Sequence, residues 1–542
     1  MASFISYCIV FATEPREAIV RLGIDVGGTH TDAVLMDDGV LLAKKKALTS
    51  ADITSGVIGA ARAVLDLADV AAIDIRMLTV GTTQFTNAVV ERRRLTPVGV
   101  LRIGAQSSRA LPIAAKWPDD LRAQTIGLTR MIDGGHNYDG TEIVPLDRTA
   151  LAAAIGDFRG AGLQAIAVTS VFAPYTDVHE AAAVAAIREG LPAARIAVSS
   201  RLGRLGLYQR ENATILNASL LPFADQVVDA FREAFASLNI RCPLLISQND
   251  GTLMKADHAK TFPVMTFSSG PTNSMRGAAW LSQVDTAMVV DVGGTTSDIG
   301  MLMDAFPRQS GTAVKIGGVL TNFRMPDVLA LGLGGGSVVA CDGAQVGPQS
   351  VGHDLVQEAH VFGGNQLTAT DIGVAAGRAT VGATDRVKAL DPRLVSRAQA
   401  TMKSMLARAL DQMKTSQDDL PLIVVGGGGF LVPDDLPGVS QIIRPADGDV
   451  ANAIGAAYAQ VSGEGEALFQ RSGTSREDAL ASATQTARRR ALAAGAAHNS
   501  LNVADITETP LTYTDDPGAT ITVKVIGDVD LDRQQVSEAP PC

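Results

Sequence analysis

The chain has 542 residues, more than one ordinary hydrophobic core accommodates, so two or three packed lobes with a cleft between them are expected. Lys and Arg number 46 against 57 Asp and Glu, and the formal net charge of −11 repels nucleic acid and anionic membrane surfaces. Four scattered cysteines (Cys8, Cys242, Cys341 and Cys542) without a CxxC spacing argue against a disulfide framework or a structural zinc site and fit a reducing cytoplasm; no apolar run reaches the length of a membrane span.

Residues 1–19 form an extension whose apolar stretch, Ile5 to Ala12, follows no Lys or Arg and does not make a convincing signal peptide. From Ile19 to Ala47 the pattern predicts a β-meander: a strand, a Gly-rich turn, an alternating strand, an Asp38-Gly39 turn and a third strand. A helix is predicted over Ile53 to Ala68, a strand over Met77 to Val80, and then a loop opening a helix that ends at Arg92, Arg93 and Arg94, cations suited to a helix C-terminus. Strands at Leu163 to Val171 and Arg195 to Ser199 bracket a helix at Val178 to Glu189, an α/β alternation. A long helix from about Gly206 to Leu238, broken or kinked near Pro222, leads to a strand at Leu244 to Ser247 and reads as the connection between lobes. A second meander follows at Asp291, then Gly-rich segments at Gly332 to Ser337 and, after the strand Leu422 to Val425, at Gly426 to Gly429. Residues 464–500 are predicted helical, and Thr512 to Gly527 a terminal hairpin. The expected division is 1–19 extension, 20–200 first lobe, 201–285 connecting helix and inserted region, 286–462 second lobe, and 463–542 C-terminal helix and hairpin.

The strongest feature is a duplication. DVGGTHTD (Asp25 to Asp32) and DVGGTTSD (Asp291 to Asp298) share six of eight positions, and each leads into a strand ending Leu-Met-Asp. A Gly-Gly turn between strands brings backbone N–H groups to an oxyanion with no Cβ in the way. The motif therefore assigns Gly27, Gly28, Thr29, Gly293, Gly294 and Thr295 to phosphates, and Asp25 and Asp291 to Mg²⁺. A Rossmann GxGxxG turn and a P-loop are both excluded, because these turns lead into strands.

Other candidates carry two readings each. Gly81, Thr82 and Thr83, with Asn87, line a substrate cleft or merely cap a helix. Asp133-Gly134-Gly135-His136, with Asp139 nearby, is a substrate or metal site, or a structural glycine turn. Gly334 to Gly336 with Ser337 is a second phosphate contact or a simple turn.

Taken together, the two hairpins resemble those of the superfamily of acetate kinase, sugar kinases, heat-shock ATPases and actin. That resemblance implies an α/β actin-like ATPase (ribonuclease H-like) fold, two related lobes with an ATP cleft between them. Gly426, Gly427 and Gly428 resemble its adenosine loop, and ANAIGAA (Ala451 to Ala457) its second connecting helix. More narrowly, the chain resembles the short form of the hydantoinase A and 5-oxoprolinase family through LGIDVGGTHTDAVL, GTTQFTNAVVER, SSRLGRLGLYQRENATILNASL, SSGP, DVGGTTSD and GLGGGS. After Pro271 the family usually continues with small residues, whereas this chain has Thr272-Asn273-Ser274-Met275. The resemblance implies an ATP-dependent hydrolase, or its ATP-binding subunit, that opens a cyclic amide such as a hydantoin or 5-oxoproline by phosphorylating the amide oxygen. ATP and Mg²⁺ are the implied cofactors and a hydantoinase B-like second subunit the implied partner, in an oligomer. Glu211, in the segment matched to the family's connecting helix, is assigned to steering water or metal, with an ordinary exposed helix carboxylate as the other reading. An ATP-dependent carboxylase subunit or small-molecule kinase, and a non-catalytic ATP-binding scaffold, are the competing functions.

Overall fold

The computed structural model describes residues 19–28, 30–48, 53–202, 204–311, 313–322, 324–470, 473–510 and 518–531; the extension, except residue 19, and Thr29 lie outside the described residues. The first meander forms as expected, with strands Val20–Val26, His30–Asp37 and Val40–Leu48 and a turn in which Asp38 and Gly39 both adopt positive φ. Strand Val20–Val26 pairs antiparallel with His30–Asp37 and parallel with Ile75–Thr82, which pairs parallel with Leu244–Ser247.

The second lobe repeats this order. Ala287–Val292 pairs antiparallel with Ser297–Met303 and parallel with Leu420–Val425, which pairs parallel with Val439–Ile443. Each lobe therefore has the strand order 3-2-1-4-5 with only the second strand reversed, the ribonuclease H-like arrangement of an actin-like ATPase fold. Side-chain alternation sets what each face meets. In the first strand, Leu22, Ile24 and Val26 enter the core under helix Ile53–Ala68, which leaves Gly23 and Asp25 on the opposite face. In its counterpart, Met288, Val290 and Val292 face the core under helix Pro392–Met413, while Ala287 and Val289 lie with Met275 and Ala278 of helix Ser269–Ser282, and Asp291 continues that face.

Two helices fill the space between those faces. Helices Ser269–Ser282 and Ala451–Tyr458 cross so closely that a Cβ on Gly277 would lie 1.8 Å from the Ala451 carbonyl oxygen, and one on Gly455 would lie 1.9 Å from that of Asn273. Gly23 gives similar clearance to the second helix, since its Cβ would lie 2.4 Å from the Ala453 oxygen.

Several expectations change. Strand Leu244–Ser247, placed by sequence in the connecting unit, belongs to the first lobe's sheet. Residues 464–500 are not helical throughout: Val461–Gln470 is a strand and Arg476–Ala494 a helix. Gly463 and Gly465 explain this, because Cβ atoms there would meet Ala491 N at 2.2 Å and Ala483 O at 2.0 Å, so the strand seats the helix directly on its backbone. With Asn502–Pro510 and Gly518–Gly527 it completes a nine-stranded sheet on the first lobe, so the C-terminal unit packs as part of that lobe. The long helix Leu207–Ser237 runs through Pro222 without ending. A separate parallel sheet is inserted in the first lobe, in the order Ile126–Ile132, Val98–Ile103, Ala165–Ser170, Arg195–Val198. Among the described residues no helix is long and apolar enough to cross a membrane.

Candidate functional site

Both hairpin turns close alike, Gly27 N donating to His30 O and Gly293 N to Thr296 O, each at 2.9 Å. Space beyond the first turn is open, for a Cβ on Gly28 would meet nothing within 4 Å. Behind each metal-assigned aspartate stands a glycine that a side chain could not replace. A Cβ on Gly81 would lie 2.1 Å from Asp25 Oδ1, and one on Gly426, whose φ is +84°, would lie 2.2 Å from Asp291 Oδ1. Gly335 and Gly336 donate backbone N–H bonds to the Gly293 and Gly294 carbonyls (3.0 and 2.7 Å), so this Gly-rich segment buttresses the second turn.

The inter-lobe helices supply donors to these carboxylates. Asn273 Nδ2 donates to Asp25 Oδ1 at 3.0 Å, and Ser274 Oγ to Asp291 Oδ2 at 2.5 Å. From the other helix, Asn452 Nδ2 donates to both Asp25 Oδ2 (3.1 Å) and Asp32 Oδ2 (2.9 Å), while Lys46 Nζ lies 2.6 Å from Asp32 Oδ1. Burial, reinforced by Asp32 and Asp291, raises Asp25 to about 6 despite the two asparagine donors. Burial likewise raises Asp291 against the opposing influence of Ser274 and Lys46, and burial with the nearby Asp291 charge pushes Asp298 up to about 7. Four carboxylates thus lie close enough to act on one another, with one lysine among them, and Asp25 and Asp291 are the pair that could hold a divalent cation.

Of the residues assigned from sequence, the structure brings together Asp25, Gly27, Gly28, Gly81, Thr82 and Thr83 in one lobe: Thr83 Oγ1 donates to the Val26 carbonyl at 3.3 Å, and Ser269 Oγ to that of Thr82 at 3.4 Å. Asn87 lies one helical turn on, exposed, its Nδ2 3.4 Å from Thr83 Oγ1. In the other lobe Asp291, Gly293, Gly294 and Thr295 meet Gly426 to Gly428, Gly428 N donating to Val292 O at 2.8 Å. Beside Gly426 and Gly427 opens a cleft of about 520 Å³, lined also by Phe430, Arg378 and Arg444. Across its rim Lys44 of the first lobe pairs with Asp447 (2.9 Å) and Asp449 (2.7 Å) of the second.

Two assigned residues stand elsewhere. Glu211 is fully buried in a bidentate pair with Arg102 (2.7 and 2.5 Å), tying the long helix to the inserted sheet, so it is not a free carboxylate for water or metal. His136 lies beside His179 and Glu142 on the inserted sheet and not among the hairpin residues. Asn273, Ser274, Asn452 and Lys46 were missed, although the departure after Pro271 marked the first two.

Fold and site together define a two-lobed actin-like framework with a duplicated glycine hairpin. Residues 21–191 match the hydantoinase/oxoprolinase N-terminal region and residues 210–383 match hydantoinase/oxoprolinase; the chain belongs to this family. It is 30% identical over 390 residues to the caprolactamase subunit alpha of Pseudomonas jessenii, covering 67% of this chain and 55% of that one. It is 25% identical over 399 residues to the acetophenone carboxylase gamma subunit of Aromatoleum aromaticum (67% and 54% covered). The chain thus spans about half the length of these curated relatives. The crystal structure of the ATP-dependent caprolactamase from Pseudomonas jessenii superposes with a TM-score of 0.76 at 22% identity, covering 96% of this chain and 89% of that one.

Proposed function

We propose that this chain is the ATP-binding subunit of an ATP-dependent cyclic amide hydrolase. The observation that carries the reading is the convergence of Asp25, Asp32, Asp291 and Asp298 on one inter-lobe space, flanked by two glycine turns. The residues fit Mg²⁺-ATP: Asp25, Asp291 and Asp298 are raised by burial and by neighbouring carboxylates, which a divalent cation offsets, and the open space beyond Gly28 and Gly427 admits phosphate.

An amide carbonyl resists water because its nitrogen donates into it and leaves poorly. Bound Mg²⁺-ATP supplies a phosphoryl group to the amide oxygen and so removes that resistance. The chain's own part is positioning. Asp25 and Asp291 would hold the metal, Asn273, Ser274 and Asn452 fix their carboxylates, and the backbone N–H groups of the hairpins would bind phosphate oxygens. Gly426 and Gly427 border the nucleoside cleft, with Gly428 beside them, and Thr82 and Thr83 border the substrate side.

The same proposal includes a hydantoinase B-like second subunit, supported by relatives that are named as subunits, and a place in the cytoplasm, where ATP is available. A carboxylase subunit is the second reading, favoured by the acetophenone carboxylase match. The test is ADP release with ATP and Mg²⁺, with and without the partner, against lactams, hydantoins, 5-oxoproline and ketones with bicarbonate. Amide-dependent ADP with a ring-opened product supports the hydrolase; ketone- and bicarbonate-dependent ADP supports the carboxylase; a stable phosphorylated product would point to a kinase.

A further inference from the structure

The loop from Asp133 to Asp147 leaves the C-terminal end of strand Ile126–Ile132, and helix Val178–Gly190 follows the C-terminal end of strand Ala165–Ser170. Val98–Ile103 lies between these strands; the chain leaves it toward Ile126–Ile132 and leaves its neighbour Ala165–Ser170 toward Arg195–Val198, so those two connections run in opposite directions and open a crevice at the carboxyl end of the sheet, the usual ligand position of open parallel sheets. Three side chains meet there. His136 and Glu142 face each other as a bridge pair in a tight loop, closed by Asn137 N to Thr141 O at 2.8 Å. His179 stands beside them, its ring centroid 4.4 Å from that of His136 and its Nε2 2.9 Å from Glu142 Oε1.

One ligating atom from each of the three lies within 4.8 Å of the others. His136 is only 6% exposed, and its Nδ1 is buried without a hydrogen-bond partner among the described residues. An orphaned imidazole nitrogen in the interior is costly unless something binds it. Glu142 is 47% exposed, so the crevice opens to solvent on its side and gives an ion a path in.

We propose that His136, Glu142 and His179 form a binding site for a divalent transition-metal ion of the zinc class, with two imidazoles and one carboxylate as ligands and an open position for water. The site is separate from the hairpin carboxylates and does not depend on the ATP reading. Without metal, Gly135 N donates to His179 Nδ1 at 2.8 Å, which places the ring proton on Nε2, facing Glu142. Ligation through Nε2 moves that proton to Nδ1, which then needs an acceptor. The Gly134-Gly135 peptide provides it by turning over to present the Gly134 carbonyl, a rotation shared by two glycines already at φ +141° and +96°. The bound ion would clamp the loop to the start of the helix.

The test is cobalt uptake by the full chain after chelator treatment, followed by gel filtration, metal analysis and visible absorption. Cobalt serves as the spectroscopic probe and zinc as competitor. The expected result is one equivalent retained, with ligand-field bands that zinc abolishes. His136→Ala and Glu142→Gln should each weaken retention by more than about tenfold, and an Asp25→Asn, Asp291→Asn double variant should leave the bands in place. His136→Ala removes no hydrogen bond of Nδ1, and Glu142→Gln changes a half-exposed side chain, so circular dichroism should show both folded. Wild-type protein that retains no cobalt overturns the proposal whatever the variants do, as do bands unchanged in both ligand variants or lost in the hairpin variant.

Discussion

Asn273 and Ser274 are consecutive on one helix, yet they bind the aspartates of opposite lobes: Asn273 donates to Asp25 and Ser274 to Asp291. A single helix thereby fixes the spacing of two carboxylates that lie in separate sheets and 266 residues apart by their numbers. Asn273→Ala removes a donor that lowers the Asp25 pKa, so that pKa should climb above its present value of about 6. The acid limb of the pH profile for ADP release should move to higher pH by about one unit. A lower rate with an unmoved limb would count against Asn273 acting through Asp25.

Stability should respond to the same carboxylates. Asp25 and Asp298 have folded pKa values of about 6 and about 7 against an ordinary 3.8. A carboxyl raised on folding binds more protons in the folded chain, so its contribution is complete below pH 3.8 and is lost as pH rises through about 6 and 7. Nucleotide-free protein should therefore lose thermal stability over that window, and Asp298→Asn should recover about 1–3 kcal/mol at pH 7.5 while abolishing turnover. Mg²⁺-nucleotide should flatten the pH dependence. Thermal denaturation from pH 4 to 8, with and without ligand, measures both, and a wild-type Tm that climbs from pH 5 to 7 would sink the assignment.

The hairpins were legible because they are backbone devices: Gly-Gly between alternating strands encodes its own turn, and duplication removes the ambiguity of a single copy. The departure after Pro271 marked Asn273 and Ser274 as unusual, but their partners were not legible, since Asn273 lies 248 residues from Asp25. The part of strand Val461–Gln470 from residue 464 on reads as helix because its neighbour is Ala-rich; what makes it a strand is a helix lying on Gly463 and Gly465, a packing fact with no local signal. Glu211 looked available in a connecting helix. Its partner Arg102 comes from a strand 109 residues away.

Glycines separate folding from ligand binding. Gly81→Ala and Gly426→Ala would drive a methyl into the Asp25 or Asp291 carboxylate, and the second also forces φ +84° on alanine, so each should cost about 1–3 kcal/mol of stability. Gly28→Ala and Gly427→Ala meet no protein atom within 4 Å and should unfold at the wild-type temperature, yet weaken nucleotide binding by about tenfold or more because the methyl occupies ligand space. Calorimetric titration with a non-hydrolysable ATP analogue, beside a thermal melt, distinguishes the pairs. Unchanged affinity in Gly28→Ala would remove the first turn from the phosphate site.

The Arg102–Glu211 pair decides whether Glu211 acts in chemistry or in folding. Both side chains are fully buried, so Glu211→Ala strands a guanidinium and should cost about 3–5 kcal/mol in urea denaturation. Replacing both, Arg102→Met with Glu211→Leu, removes the stranded charge and should restore much of that loss. Recovery should be incomplete because Arg102 also donates to the Ser108 and Leu111 carbonyls, bonds that methionine cannot make. If Glu211 serves only to dock the long helix on the inserted sheet, ADP release should return in proportion to the folded fraction. A double variant that is folded but inactive would instead place the Glu211 carboxylate in the reaction.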